Sequence, residues 1–299
     1  MKVKFFVPLV AAVAISINAH AQEDLLKLAM DENKPKNEKV EYTFKTTKLI
    51  NAQTNETVHK RTLDFRVGHR FGNIGKYTEG KSAAHSLYGL DASADIRIAF
   101  EYGITDNLTV GISRSKVKEN LEGLVKYRIL QQTTDNKIPV GLTFFGNTAF
   151  TPIKDGLKIY DKTSRRLSYV AQLMVARKFS ERISFVLLPS YLHRNYVFDI
   201  EDENDFFSLG VGARVKITKR TSLVADYFYN FSQYRIDRNE SYFNPLGAGI
   251  EVETGGHVFT IMFSNSAPLI ENEFLPNTTD SWSDGGFKFS FNISRNFML

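Results

Sequence analysis

From Phe207 to Ile217 the chain reads Phe-Ser-Leu-Gly-Val-Gly-Ala-Arg-Val-Lys-Ile, apolar at every odd position and small, polar or charged at every even one. Alternate side chains of a strand point to opposite faces of its sheet. This strand therefore has one oily face, Leu209, Val211, Ala213 and Val215, and a second face carrying Gly210, Gly212, Arg214 and Lys216. The pattern predicts that Gly212 borders a polar interior and accepts a serine. The alternation recurs about a dozen times. Soluble sheets rarely place arginines on the second face of so many strands. A barrel in an outer membrane needs that pattern, with lipid outside and a polar lumen inside.

The predicted strands run 62–72, 94–104, 107–116, 121–131, 139–150, 166–179, 183–195, 206–217, 221–231, 246–253, 257–265 and 286–297. Residues 40–50 fit either a further strand or a peptide tucked into the barrel mouth, so the strand number ranges from 12 to 14. Tight linkers such as Thr105-Asp106-Asn107, Ser180-Glu181-Arg182, Thr218-Lys219-Arg220 and Thr254-Gly255-Gly256 are turn-forming. Between them lie the long polar segments 73–93, 151–165, 196–205, 232–245 and 266–285. Short periplasmic turns facing long outer loops characterise outer-membrane barrels. The fold class expected is all-β, a transmembrane up-and-down antiparallel barrel of about twelve strands. A soluble secreted β-protein is the competing class.

The N-terminus sets the compartment. Lys2 and Lys4 precede an apolar run, Phe5 to Ile17, and Ala19-His20-Ala21 fits a cleavage site. We expect residues 1–21 as a signal peptide, 22–61 as a periplasmic N-terminal segment and 62–299 as the barrel, located in the outer membrane. The chain has no cysteine, which excludes disulfides, thiolate metal sites and a lipidated N-terminal Cys. No stretch of about 18 apolar residues follows the leader, so membrane retention must come from strands. The 24 Phe and 13 Tyr supply aromatic surface. The net charge of +5, or +3 without Lys2 and Lys4, is too small to argue for nucleic acid. The last strand alternates Phe287, Phe289, Phe291 and Ile293 with polar residues and ends Phe297-Met298-Leu299. It resembles the signal read by the barrel assembly machinery, although the aromatic stands third from the end.

Several segments resemble one family of outer-membrane barrels common in Bacteroidota, the domain of unknown function 5777. They are Gly68-His69-Arg70-Phe71-Gly72, Leu87-Tyr88-Gly89-Leu90-Asp91, the run Ile96 to Asp106 (IRIAFEYGITD), Arg114-Ser115 and Gly123-Leu124-Val125-Lys126-Tyr127-Arg128. The resemblance is good over about 40–150 and looser afterwards. It implies a barrel and supplies no catalytic residues.

With polar faces inward, the lumen is lined by Asp64, Arg66, Arg70, Asp95, Arg97, Glu101, Glu122, Lys126, Arg128, Arg214, Lys216, Asp226, Glu251 and Glu253, joined by Gln172, Arg194, Asn230 and Lys288. Bases and acids nearly balance. One reading is an internal salt-bridge network filling a narrow barrel. A second is a hydrated channel with opposed charged ladders. A third is an anion site at Arg66, Arg70, Arg97, Lys126 and Arg128, because paired guanidinium groups suit carboxylate or phosphate.

The candidate catalytic histidines are His69, His85, His193 and His257. None has a nucleophile motif around it; Ser82 and Ser86 near His85 are common neighbours by chance. The acidic stretch Asp199 to Asp205 offers oxygens for Ca²⁺ but lacks the spacing of an EF-hand. No catalytic residue, metal or cofactor is assigned. The function expected is porin-like passage of small solutes. The alternatives are a closed structural barrel whose loops bind a partner, and a membrane-embedded hydrolase. Lipid, the assembly machinery and a small solute are the expected partners.

Overall fold

The computed structural model describes residues 38–75, 83–153 and 161–299. The signal peptide expected at 1–21 and the charged stretch at 22–37 lie outside them. Twelve strands are hydrogen-bonded in chain order into one closed antiparallel barrel. They are β1 (Thr62–Asn73), β2 (Ser93–Thr105), β3 (Leu108–Ser115), β4 (Leu121–Leu130), β5 (Gly141–Phe150), β6 (Leu167–Lys178), β7 (Ile183–Arg194), β8 (Asp205–Lys216), β9 (Thr221–Phe231), β10 (Leu246–Thr254), β11 (His257–Ser264) and β12 (Lys288–Met298). β1 pairs with β12, from Thr62↔Met298 to Arg70↔Ser290, and closes the ring. The predicted boundaries hold to within about two residues.

The alternation decides which face goes where. Ile112, Phe207, Leu223 and Ile261 stand on the outer surface, while Asp64, Arg66, Arg97 and Glu122 are buried inside. At the seam, Phe291 of β12 stacks on His69 of β1, with 5.5 Å between ring centroids. No helix among the described residues is long and apolar enough to cross a membrane.

The inner wall has two halves. β1 to β4 and β12 turn charged and hydroxyl groups inward. β5 to β9 instead contribute Phe145, Val170, Met174, Val186, Leu188 and Phe228 to one buried apolar cluster. On β7 both faces are largely apolar, since Val186, Leu188 and Leu192 point inward while Ile183, Phe185 and Tyr191 point outward.

Two segments fill the space between these halves. Residues 43–58 enter from the short-turn end as a hairpin, with Leu49 N–H donating to Ala52 O and Thr54 N–H to Thr47 O. Leu49, Ile50, Ala52 and Phe44 of this hairpin are buried in the apolar cluster. Of the segment 22–61 expected below the barrel, residues 43–58 therefore lie within it. From the long-loop end, the β11–β12 connection folds inward through a short helix, α1 (Glu271–Phe274), whose residues are all buried. Phe274 meets Phe228 edge-on at 5.2 Å.

The hairpin approaches bare wall at glycines. A Cβ on Gly103 would come within 2.5 Å of Val58 O and closer still to His59 O, so only glycine allows the backbone of the incoming chain to pass. A Cβ on Gly212 would lie 2.9 Å from Leu49 Cδ1. Gly212 faces inward as expected, but its surroundings are apolar and filled rather than polar, with Leu49 Cδ1 and Val186 Cγ1 in the place a side chain would take.

Two neighbouring substitutions should separate the faces. Val211→Arg puts a guanidinium into lipid at a cost of roughly 2–4 kcal/mol at mid-membrane, and should lower the urea midpoint of the barrel in lipid vesicles. Gly212→Val should leave the sheet intact, displace Leu49 and speed tryptic cleavage after Lys45 or Lys48. Equal loss of the barrel in both would contradict the assignment of faces.

Candidate functional site: the occupied lumen

The charged wall is paired in short steps along neighbouring strands. Arg66 Nη2 donates to Asp64 Oδ2 at 2.9 Å, and Ser294 Oγ of β12 donates to the other oxygen. Arg97 donates through Nε and Nη2 to Glu122 Oε2, at 3.1 and 2.6 Å. Asn147 Nδ2 donates to Glu122 Oε1 at 2.7 Å. Arg214 Nε donates to Glu251 Oε1 at 2.7 Å. Asp95 accepts from Ser115 Oγ, Val117 N–H and Leu269 N–H. Lys288 Nζ donates to Asp280 at 2.6 Å, Gln172 Nε2 to Ser190 Oγ, and Asn230 Nδ2 to Leu275 O.

The remaining wall residues turn to the hairpin. Asp226 Oδ2 accepts three successive backbone N–H groups, from Ile50 (3.1 Å), Asn51 (2.6 Å) and Ala52 (2.8 Å). Its Oδ1 accepts from Asn51 Nδ2. Arg70 Nη2 donates to Asn51 Oδ1 (2.8 Å) and Ile50 O (3.4 Å). Lys126 Nζ donates to Thr47 O (2.8 Å) and Thr54 O (3.3 Å). Among the described residues neither Arg70 nor Lys126 has a carboxylate within ion-pair distance, although both are fully buried. Glu101 accepts from Thr47 Oγ1, and Arg128 pairs with Glu56 at 3.3 Å. The five cations grouped as an anion site are thus divided among separate partners.

Arg128, Lys216 and Glu253 are half-buried toward the short-turn end, whereas the other eleven candidate lining residues are buried. Glu253 meets Lys45 at 3.4 Å. It lines, with Tyr42, Glu56, His59 and Asp64, a vestibule of about 420 Å³.

The two fillings meet at Lys48. Its Nζ donates to Glu271 Oε1 (2.7 Å) and Leu269 O (2.9 Å), with side chains 4% and 1% exposed. Gln53 Nε2 donates to the same Glu271 oxygen. Lys48, Asn51, Glu56, Glu271 and Asn292 all hold the filling in place; strand alternation puts Asn292 on the polar face of the last strand and gives no hint of the other four. The signal lies in paired apolar residues inside polar stretches: Leu49-Ile50, Leu269-Ile270 and Phe274-Leu275. A loop bathed in water has no use for such pairs.

The nominated histidines and acids have ordinary engagements. His69 sits between aromatic rings on the outer face. His193 contacts Asp205 (2.6 Å) through Nδ1 and Asn195 through Nε2. His257 stacks on Phe259. Ser82 lies outside the described residues. In the acidic loop, Asp202 accepts from Arg235 (2.8 Å) and Arg194 (3.0 Å), Asp199 accepts from Tyr234, and Glu201 pairs with Arg238. Burial pushes the Asp202 carboxyl up, but the two guanidinium groups outweigh it and hold it below the usual range. The hydrogen bond to Asp199 raises the Tyr234 phenol above its usual value. These carboxylates clasp the loop to the β9–β10 connection.

A family model described as a membrane bound beta barrel domain, domain of unknown function 5777, matches residues 44–297. Its match begins at Phe44, within the hairpin, rather than at β1. A comparison with curated proteins finds no match. Among solved structures, the NanC porin is similar at 12% identity and a TM-score of 0.49, over 79% of this chain and 100% of that one. The KdgM porin in complex with disordered oligogalacturonate is similar at 7% identity and TM-score 0.47, over 79% and 99%. An outer membrane channel from Pseudomonas putida F1 is similar at 11% identity and TM-score 0.47, over 81% and 98%.

The Lys48–Glu271 pair gives a stability test. Removing one partner strands the other charge in a buried setting, at a cost of about 3–5 kcal/mol. Lys48→Met should lower the temperature at which the folded gel band converts to the unfolded one. Lys48→Met with Glu271→Met should recover most of that loss. An unchanged transition in the single variant would show that the pair carries no weight.

Proposed function

Since this chain belongs to the family of membrane bound beta barrel domains, we propose that it is a porin-like outer-membrane barrel passing small solutes, closed at rest by its own residues 43–58. A closed barrel satisfies its strand hydrogen bonds internally, which is the condition for living in lipid. The mode of attachment of the hairpin carries the proposal. Among the described residues, no backbone-to-backbone hydrogen bond joins 43–58 to a strand; the seat consists of side-chain contacts, many of them polar. Both limbs leave at the short-turn end, where Val40 N–H donates to Gln132 O and Arg61 N–H to Gly103 O. Withdrawing the hairpin would therefore break no strand pairing. It would expose a wall half charged and half apolar. His69, His193 and His257 are held by packing and structural hydrogen bonds, which supports transport over hydrolysis.

A disulfide lock tests this. A Cβ on Gly212 would stand 3.6 Å from Ala52 Cβ, within the range a disulfide spans, and the chain has no other cysteine to compete. Ala52→Cys with Gly212→Cys should be silent in a planar bilayer when oxidised and should open to measurable current on reduction. No current in the reduced form, with the barrel still folded, would replace passage by the closed interaction barrel.

A further inference from the structure

We propose that the solutes admitted to this lumen are short peptides carrying adjacent aliphatic residues, and that the hairpin occupies their path as a tethered stand-in. This rests on the passage function proposed above and names its substrate class.

The wall reads the hairpin largely through its main chain. Asp226 takes the N–H groups of residues 50 to 52. Lys126 and Arg70 donate to the carbonyls of residues 47, 54 and 50. Asn292 Nδ2 donates to Leu49 O at 3.2 Å, and Thr143 Oγ1 to Asn55 O at 3.0 Å. Thr109 Oγ1 accepts from Val58 N–H at 2.9 Å. Main-chain groups are common to every peptide. A wall that binds them gives affinity without fixing sequence, and side-chain recesses then supply selectivity.

Two such recesses are cut into the wall by glycine. Leu49 lies over Gly212, beside Val186, and Ile50 lies over Gly247, where a Cβ would come within 2.5 Å of Ile50 Cγ2. Beyond them the apolar half of the wall begins.

The charges argue in the same direction. Six of the wall's ionised groups are paired with one another, Asp64 with Arg66, Arg97 with Glu122 and Arg214 with Glu251. Asp226, Arg70 and Lys126 are not: their hydrogen-bond partners are hairpin amides and carbonyls, together with Asn51 and, for Arg70, Ser290 Oγ. When the hairpin leaves, these three groups lose most of those partners. A peptide restores both kinds of contact, N–H groups for the carboxylate and carbonyls or a terminal carboxylate for the cations. A simple inorganic ion restores at most one; a sugar's hydroxyls can donate and accept, but they bring no aliphatic side chain for the recesses over Gly212 and Gly247.

The test uses full-length Leu49→Ser/Ile50→Ser, which empties both recesses and loosens the hairpin while leaving the wall native. In a planar bilayer it should pass current. Leu-Ile-Asn-Ala, added at the short-turn side, should interrupt that current at a concentration at least tenfold below Ser-Ser-Asn-Ser or sucrose. Adding Asp226→Asn should preserve the current and weaken the peptide effect at least tenfold, as expected when a charged acceptor of several hydrogen bonds is lost. The heat-shifted gel band reports folding, and Asp226→Glu replaces the Asn variant if that fails to form a barrel.

Current that the tetrapeptide disturbs no more than sucrose does would overturn the peptide assignment and leave passage standing. Stronger interruption by decanesulfonate, indifferent to Asp226, would also overturn it, because the apolar wall alone would then select. No current here or in the reduced disulfide variant would defeat passage itself and the peptide assignment with it.

Discussion

Hydrocarbon offers nothing to a backbone N–H or C=O, so a sheet can live in lipid only if its first strand finds its last. The pairing of β1 with β12 meets that demand, and the rest of the molecule follows from it. Once the ring closes, alternate side chains have nowhere to go but lipid or lumen. The outward set is satisfied by being apolar. The inward set must satisfy itself or be satisfied by something inserted.

Both solutions are present. The wall compensates part of its own charge through steps such as Arg97 to Glu122 and Arg66 to Asp64. The groups it leaves over are met by the hairpin, and Lys48 of the hairpin is met by Glu271 from the opposite mouth. Burying an ion pair is not in itself stabilising, because desolvation offsets most of the attraction. The buried charges therefore do less to hold the barrel together than to fix which segment may sit inside and in what register. The apolar cluster shared by hairpin, loop and β5 to β9 supplies the nonspecific driving force.

The sequence made the barrel legible because each strand obeys a period of two and each turn has a local chemistry. The strand number, the alternation of short and long connections, and the inward positions of Asp64, Arg97 and Lys126 can all be read from it. The filling was legible only as one of two alternatives, a peptide at 40–50 tucked into the barrel mouth; its full course and its partners were not, for a physical reason. Residues 43–58 form a two-limbed turn whose partners lie up to 243 positions away, as with Leu49 O and Asn292. No local period encodes such contacts. Parity holds along β6 and β7, with Gln172 and Ser190 inward, but polarity does not follow it there, since Val170, Met174, Val186 and Leu188 share that inner face. Adjacent apolar residues in nominal loops were the available sign that something besides water fills the interior.

The placement of Asn292 has a consequence for biogenesis. It lies on β12, the strand that closes the ring on β1, and it holds Leu49, a residue of the segment that precedes β1. Ser294, two residues on, reaches across the seam to Asp64 of β1. The strand that completes the wall thus also completes the seat. An empty ring lacks the Asn292 contact along its final edge, whereas a filled one gains it as the seam zips. Occupancy and closure are coupled in space, since the segment that precedes β1 and the strand that closes on β1 are each seated by the other.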